Sequence, residues 1–266
     1  MIDINSLNGD QKIALLYGIM AGDGCLCEYA GKRGSSCYGL TITGGVDDFL
    51  FHKEVVHPLL RHFRGKNTKM RIRKDCRAIE FNFTDKKLFN LMHSYGFPIG
   101  KKGQKICVPK IFYDKNLVKY VVQGFMATDG SLVLTKNPNK FYPRVESVVI
   151  HKDFLRQVYD YMIFVGLKGA YYLSKSKPNS RWKTSRPKYR FQFNGKDNLL
   201  LFEKLIGFIN PKHKKKYDDF LEYDGIYDSS IKRIPVDEQR VVREEINSQL
   251  MVNMAVLGVE PRTSSS

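Results

Sequence analysis

Hydrophobic and polar positions along this chain alternate between two periods, and the order of those periods repeats. Ile13–Gly22 is a run of small and apolar residues closed by Asp23-Gly24, which predicts a short helix stopped by a glycine C-cap. Two strand-like stretches follow, Cys25–Tyr29 and Tyr38–Thr43, joined by the turn-forming sequence GKRGSS. Between Asp47 and Phe63, the residues Phe49, Leu50, Val55, Val56, Leu59, Leu60 and Phe63 fall at helical spacing. Thr68–Arg73 and Ala78–Thr84 alternate as strands, and Asp85–Tyr95 returns to helix. A second series reads helix 116–127, strands 131–135 and 144–150, helix 152–165, strands 169–175 and 187–194, and helix 196–208. Each series is αββαββα, so the expected class is α+β, with helices on one face of an antiparallel sheet.

The residues themselves repeat as well. Leu16-Tyr-Gly-Ile-Met-Ala-Gly-Asp-Gly24 is echoed by Val122-Gln-Gly-Phe-Met-Ala-Thr-Asp-Gly130, with matched positions 106 apart. Asp48-Phe-Leu50 returns as Asp153-Phe-Leu155 at an offset of 105, and Phe81-Asn-Phe83 as Phe191-Gln-Phe193 at 110. Three echoes in one order, with offsets drifting by a few residues, describe duplicated units that differ in loop length. The predicted organisation is a first unit at 1–96, a basic linker at 97–115, a second unit at 116–216, and an acidic, non-repeating extension at 217–266. Val236–Leu257 could add one amphipathic helix, and the terminal PRTSSS reads as frayed.

Charge narrows the function. The 266 residues carry 44 Lys or Arg against 27 acids, a net +17, and 42% are apolar, so the chain can fold and its excess points to a polyanionic partner. The longest apolar runs are about ten residues, too short to span a bilayer. MIDINSL lacks the basic and apolar regions of a signal peptide. Five cysteines (25, 27, 37, 76 and 107) match no zinc or disulfide spacing and read as reduced thiols of a cytosol or organellar matrix. His52, His57 and His62 are expected to be ordinary surface or half-buried residues.

Gly18 and Gly22 lie four apart on one bare helix face, as do Gly124 and Thr128 in the copy. Such faces let two helix backbones approach, which would set Asp23 beside Asp129. An anion at a helix C-terminus is disfavoured by roughly 0.3–1 kcal/mol, and a second carboxylate adds repulsion. A hard divalent cation such as Mg²⁺ removes both objections, and carboxylate-held metal beside phosphodiesters is the apparatus of phosphoryl hydrolysis. One Asp-Gly after a buried helix is an ordinary turn; two in register in a basic chain are a candidate catalytic pair. A phosphate-cradling glycine loop fails on context, because these glycines lie within and end a helix.

LYGIMAGDG and VQGFMATDG resemble the two motifs of single-chain LAGLIDADG homing endonucleases, and the duplicated pattern covers about residues 11–210. The resemblance implies a monomer of two pseudo-symmetric halves with saddle-shaped sheets lying on double-stranded DNA. Asp23 and Asp129 would hold two or three Mg²⁺ ions, with carbonyls of Gly22 and Thr128 completing the shell. The implied product is a double-strand break with 3′ overhangs, made by an intron-encoded enzyme. An RNA maturase acting on intron RNA is the alternative on the same fold. Family members often place a polar or basic residue at the end of the second strand. The first unit has Thr43-Gly44-Gly45 there and the second His151-Lys152. Lys102 of the linker and Lys152 are therefore the candidate auxiliary bases, with Lys215 a third.

Strand alternation supplies a binding face. Lys69, Arg71 and Arg73 alternate with Met70 and Ile72, and Glu80, Asn82 and Thr84 with Ile79, Phe81 and Phe83. Lys188, Arg190, Gln192 and Asn194 alternate with Tyr189, Phe191 and Phe193. Residues 168–216 hold 14 Lys or Arg and only Asp197 and Glu203, a net +12 that favours a nucleic-acid track over a merely soluble face. Arg suits guanine edges, and Asn and Gln suit adenine. Candidate contacts in the first unit also include Lys32, Arg33 and Arg77. In the second unit they include Lys136, Lys140 and Arg144, then Lys175, Lys177, Arg181, Lys183 and Arg186 of the long basic loop.

Overall fold

The structure, a computed structural model, describes residues 3–31, 34–73, 77–137, 140–174 and 187–222. Val236–Leu257 and the terminal PRTSSS lie outside the described residues. Helix α1 (Gly9–Asp23) starts earlier than its apolar run because Asn8 and Gln11 form a reciprocal capping box. It leads directly into β1 (Gly24–Ala30) and β2 (Ser36–Gly45). After a 3-10 turn at Val46–Asp48 come α2 (Phe49–Phe51), a π turn at His52–Val56, and α3 (His57–Arg64). Strands β3 (Met70–Arg73) and β4 (Ala78–Thr84) and helix α4 (Lys86–Ser94) complete the unit. The linker carries α5 (Lys110–Asp114).

The second unit repeats the plan. It comprises α6 (Val118–Thr128), β5 (Gly130–Asn137), β6 (Lys140–Val149), α7 (Lys152–Phe164), β7 (Gly169–Ser174), β8 (Lys188–Asn194) and α8 (Lys196–Leu205). A further helix, α9 (Pro211–Glu222), follows. Both sheets are four-stranded and antiparallel, in the matching orders β1-β2-β4-β3 and β5-β6-β8-β7. Apolar residues of both units join in one core, centred on α1 and α6.

Several details depart from the sequence reading. The expected helix over 47–63 is broken by the π turn, in which the His57 N–H bonds to the His52 carbonyl. Pro58 follows and has no N–H for the carbonyl four residues back, so the ladder changes register ahead of it. The charge reversal at 216/217 is no structural boundary: α9 runs through it because Tyr217 and Phe220 are buried in the core that both units share. The linker is packed, with Phe97, Ile106, Val108 and Phe112 in the core, and the Gly100 N–H bonds to the Leu26 carbonyl at 2.7 Å. Gly24 is not a left-handed cap either, since its backbone is extended (φ −96°). It is bare because a Cβ there would lie 2.5 Å from the Cα of Met20.

Glycine does its main work between α1 and α6. A Cβ on Gly18 would lie 2.1 Å from the Val121 carbonyl oxygen, and one on Gly124 2.3 Å from that of Leu15. Reciprocal contact of this kind sets two helix backbones against each other with no side chain between them. Gly18→Ala and Gly124→Ala are therefore expected to destabilise the protein at or above the upper end of the ~1–3 kcal/mol typical of overpacking. Gly9→Ala, whose Cβ meets nothing within 4 Å, should be close to neutral; urea unfolding of the three variants checks the contrast.

Candidate active site

The helix contact delivers two carboxylates to one place. Asp23 is the last residue of α1 and Asp129 the C-cap of α6. A Cβ on Gly22 would lie 2.1 Å from Thr128 Oγ1 and 3.4 Å from the Asp129 carboxyl carbon, which measures how closely the two ends meet. Both acids keep an opening to solvent while protein surrounds them on most sides. Burial, followed by the Asp129 charge, pushes Asp23 up to about 7. Asp129 is raised by burial and eased by Lys102 and His151.

Lys102 is the counter-charge. Its Nζ donates to the carbonyls of Met20 (3.1 Å), Ala21 (2.8 Å) and Gly22, capping the end of α1 where the macrodipole is negative. Burial lowers its pKa, while Asp129 and then Asp23 hold it up. The lysine-rich linker is placed for this: Gly100 is tied to β1, and two residues later the ammonium reaches the carbonyls that end α1. His151, whose Nδ1 bonds the Gly103 carbonyl, adds a buried imidazole on the Asp129 side.

The other auxiliary candidates fall elsewhere. Lys152 is exposed on the first turn of α7, where its backbone N–H bonds to Gln104 Oε1 at 2.9 Å. Lys215 is exposed and paired with Asp219 one turn along α9, at 3.0 Å. Lys212, which the sequence reading passed over, is exposed on the first turn of α9 and pairs with Asp48 at 2.6 Å; at Asp23 the Asp48 charge raises the pKa and the Lys212 charge lowers it. A signal for it existed: Lys212 follows Lys102 by 110 residues, the offset of the Phe81/Phe191 echo. His52 is a further correction, being fully buried rather than at the surface or half-buried. Its ring lies under β2, where a Cβ on Gly44 would come within 2.3 Å of Cε1, and this is why the first unit carries no side chain at that strand end.

The outer sheet faces follow the predicted alternation. In the first sheet Thr41, Thr43, Asn82, Glu80 and Arg71 share a face through the pairs Thr41↔Asn82, Thr43↔Glu80 and Arg71↔Glu80. Arg73 and Thr84 are exposed on the same face, Lys69 is exposed just before β3, and Arg77 is exposed in the following turn with φ 51°. In the second sheet Arg144↔Asn194, Glu146↔Gln192 and Val148↔Arg190 are paired. Glu146 is engaged there by Arg144 (2.7 Å) and Gln192 Nε2 (2.9 Å), so those two groups are held in fixed directions. Lys136 and Lys188 are exposed at the strand ends. Lys140 pairs with Asn137 across the hairpin. Lys32, Arg33, Lys175, Lys177, Arg181, Lys183 and Arg186 lie outside the described residues.

The donor set fits a hard divalent ion. No cluster of three or more His, Cys, Asp or Glu exists among the described residues. An ion held by Asp23 and Asp129 would therefore complete its shell with backbone oxygen, water and phosphate, the habit of Mg²⁺ rather than Zn²⁺. Cys25, Cys27, Cys37 and Cys107 are free thiols. No helix among the described residues is long and apolar enough to cross a membrane.

The elevated Asp23 predicts a pH signature. Between about pH 4 and 7 the folded chain keeps a proton that the unfolded chain has released, so this group's contribution to stability falls as pH rises through that window. Asp23→Asn should stabilise the metal-free protein at about pH 8 by up to ~4 kcal/mol, and the advantage should vanish below about pH 4. Urea unfolding across that range, with chelator present, measures it.

No protein-family model matches the sequence, and no curated protein does. Solved structures do match. I-DmoI in complex with DNA and Ca superposes with a TM-score of 0.54 at 16% identity, over 81% of this chain and 100% of that one. The I-LtrWI LAGLIDADG homing endonuclease bound to target DNA gives 0.54 at 10% identity, over 82% and 91%. The LAGLIDADG meganuclease I-AabMI bound to uncleaved DNA gives 0.50 at 12%, over 79% and 89%. Two matching antiparallel sheets, joined through paired motif helices that end in aspartate, give this chain the fold of the single-chain LAGLIDADG homing endonucleases.

Proposed function

We propose that this protein is a divalent-metal-dependent, site-specific DNA endonuclease that acts as a monomer on a long asymmetric duplex. Each carboxylate serves one strand, and the product carries 3′ overhangs. One observation carries the reading: aspartates 106 residues apart meet at the shared end of two helices, where a lysine ammonium caps the carbonyls of one of them. The fold neighbours, crystallised on DNA and in one case with Ca, support it.

Asp23, Asp129 and the Gly22 carbonyl would hold the metal, with Thr128 the corresponding carbonyl of the second unit. Bound there, Mg²⁺ would activate water and stabilise the leaving oxygen. The chain's own residues do the rest. Lys102, buried against the end of α1, places positive charge where a phosphorane would gather negative charge, in a setting where water screens little. Arg71, Asn82, Arg190 and Gln192 face the groove as base readers, and Lys69, Lys136 and Lys188 face it as phosphate anchors.

Purified protein with Mg²⁺ and a plasmid library of candidate insertion sites should yield linear product. Asp23→Asn and Asp129→Asn should each leave nicked or uncut plasmid, and a single mutant that cuts both strands at full rate would refute the pairing. Lys102→Met should slow cleavage by about 10²–10³-fold. Mg²⁺ should raise the melting temperature of the wild type but not of the double Asp→Asn variant. Binding should weaken steeply with salt. Tight RNA binding without DNA cutting would turn the assignment to an RNA-binding role.

A further inference from the structure

One row of side chains crosses the outer face of the second sheet: Ser131 on β5, Glu146 on β6, Gln192 on β8 and Ala170 on β7. Phe191 and Phe193, on either side of Gln192 in its strand, are fully buried in the core, so the period of two turns Gln192 outward. Along the row Gln192 has a methyl group on one side and a carboxylate on the other. Its Nε2 donates to Glu146 Oε2 at 2.9 Å. The same oxygen lies 2.7 Å from Arg144 Nε, as an ion pair without hydrogen-bond alignment, and the Glu146 side chain is only 12% exposed. The first sheet has the same row with a different centre. Cys25, Thr41 and Asn82 stand 106, 105 and 110 residues before Ser131, Glu146 and Gln192, so Thr41 is the counterpart of Glu146. Asn82 thus faces a hydroxyl across the sheet, and its Nδ2 reaches a carboxylate along its own strand, Glu80, at an exposed 3.3 Å.

A primary amide donates from its nitrogen and accepts at its oxygen, and the two ends are nearly equal in size. An unrestrained Gln can therefore offer either end to a base edge by flipping. Gln192 lacks that freedom. Turned by 180°, it would set Oε1 against the Glu146 carboxylate, acceptor against acceptor. Nε2 is held toward Glu146, and Oε1 is turned away from it. In the major groove the amino groups of adenine (N6) and cytosine (N4) donate, where the keto oxygens of thymine (O4) and guanine (O6) accept. An amide that leads with its oxygen matches the first pair of bases and opposes the second.

We propose that Glu146 is a specificity-determining positioning residue: by holding the Gln192 amide in one orientation, it makes the second unit prefer an amino base, adenine or cytosine, over a keto base at one position of one DNA strand. A carboxylate on a face that meets phosphates also opposes binding at large, so the same residue lowers affinity for every sequence while it raises discrimination. This rests on the endonuclease reading above, which sets duplex DNA against the outer sheet faces.

The test uses the full chain and a randomised duplex library, enriched by binding in Ca²⁺. Base frequencies are read at every position for the wild type, Gln192→Ala, Glu146→Gln and the double variant. Gln192→Ala should lose selectivity at one position, where the wild type favours adenine or cytosine over guanine or thymine on the same strand by at least about fivefold. Glu146→Gln puts in place of the carboxylate an amide that accommodates either orientation of Gln192. Amino and keto bases should then come within about twofold of each other at that position alone, and the dissociation constant for the wild-type duplex should stay within about threefold or fall. The double variant should match Gln192→Ala, because the two residues act as one unit. A keto preference in the wild type, an unchanged Glu146→Gln profile, or selectivity lost at many positions together with affinity would each overturn the proposal. A preference that survives Gln192→Ala would overturn it too, by making Glu146 the direct reader of a cytosine amine. If circular dichroism shows that Glu146→Gln does not fold, the wild-type and Gln192→Ala profiles decide: an amino preference that disappears with the amide supports the proposal, and any other result refutes it. A wild type that enriches no duplex would instead bring down the endonuclease reading, and this proposal with it.

Discussion

The close approach of α1 and α6 is the constraint on which the rest of the molecule depends. Gly18 and Gly124 each press on a carbonyl of the facing helix, so the two backbones touch directly. Everything attached to the helix ends inherits that closeness. The strands β1 and β5 begin at Gly24 and Gly130, immediately after the motif aspartates, so the two sheets spread from one point. A looser helix pair would separate the carboxylates and the sheets together.

Bringing anions together at two negative helix ends has an electrostatic cost, and the structure shows where it is offset. Lys102 supplies a buried cation at the end of α1, and Asn210 a neutral donor at the end of α6. Even so, both carboxyls remain raised, chiefly by desolvation. A site left in this state favours any ligand that brings positive charge and oxygen-seeking chemistry. The same features that destabilise the metal-free protein would stabilise its metal-bound form.

Duplication shaped the architecture without keeping the halves identical. The sheet orders are the same, and the Phe81/Phe83 and Phe191/Phe193 rows are placed alike in their strands. The polar details diverged: His52 fills the space over Gly44 in one half, while His151 stands beside Asp129 in the other. The linker of one half places Lys102 at the end of α1, while α9 of the other places Lys212 against Asp48.

Much of this was legible in the sequence. Period-two and period-3.6 patterns report which face of its own element a side chain takes, so the strands, the outer sheet faces and the bare helix faces could be read directly. The echo of two Asp-Gly motifs located the carboxylates, because duplication carries position as well as residue type. Tertiary structure alone decided which lysines matter. Lys212 and Lys215 look alike in a basic run, yet of the two only Lys212 meets Asp48, a residue 164 positions away. It alone decided, too, that His52 is buried and that Gly24 is a contact rather than a cap. Local pattern encodes each element's own geometry, whereas these outcomes depend on distances between elements that pack far apart in the chain.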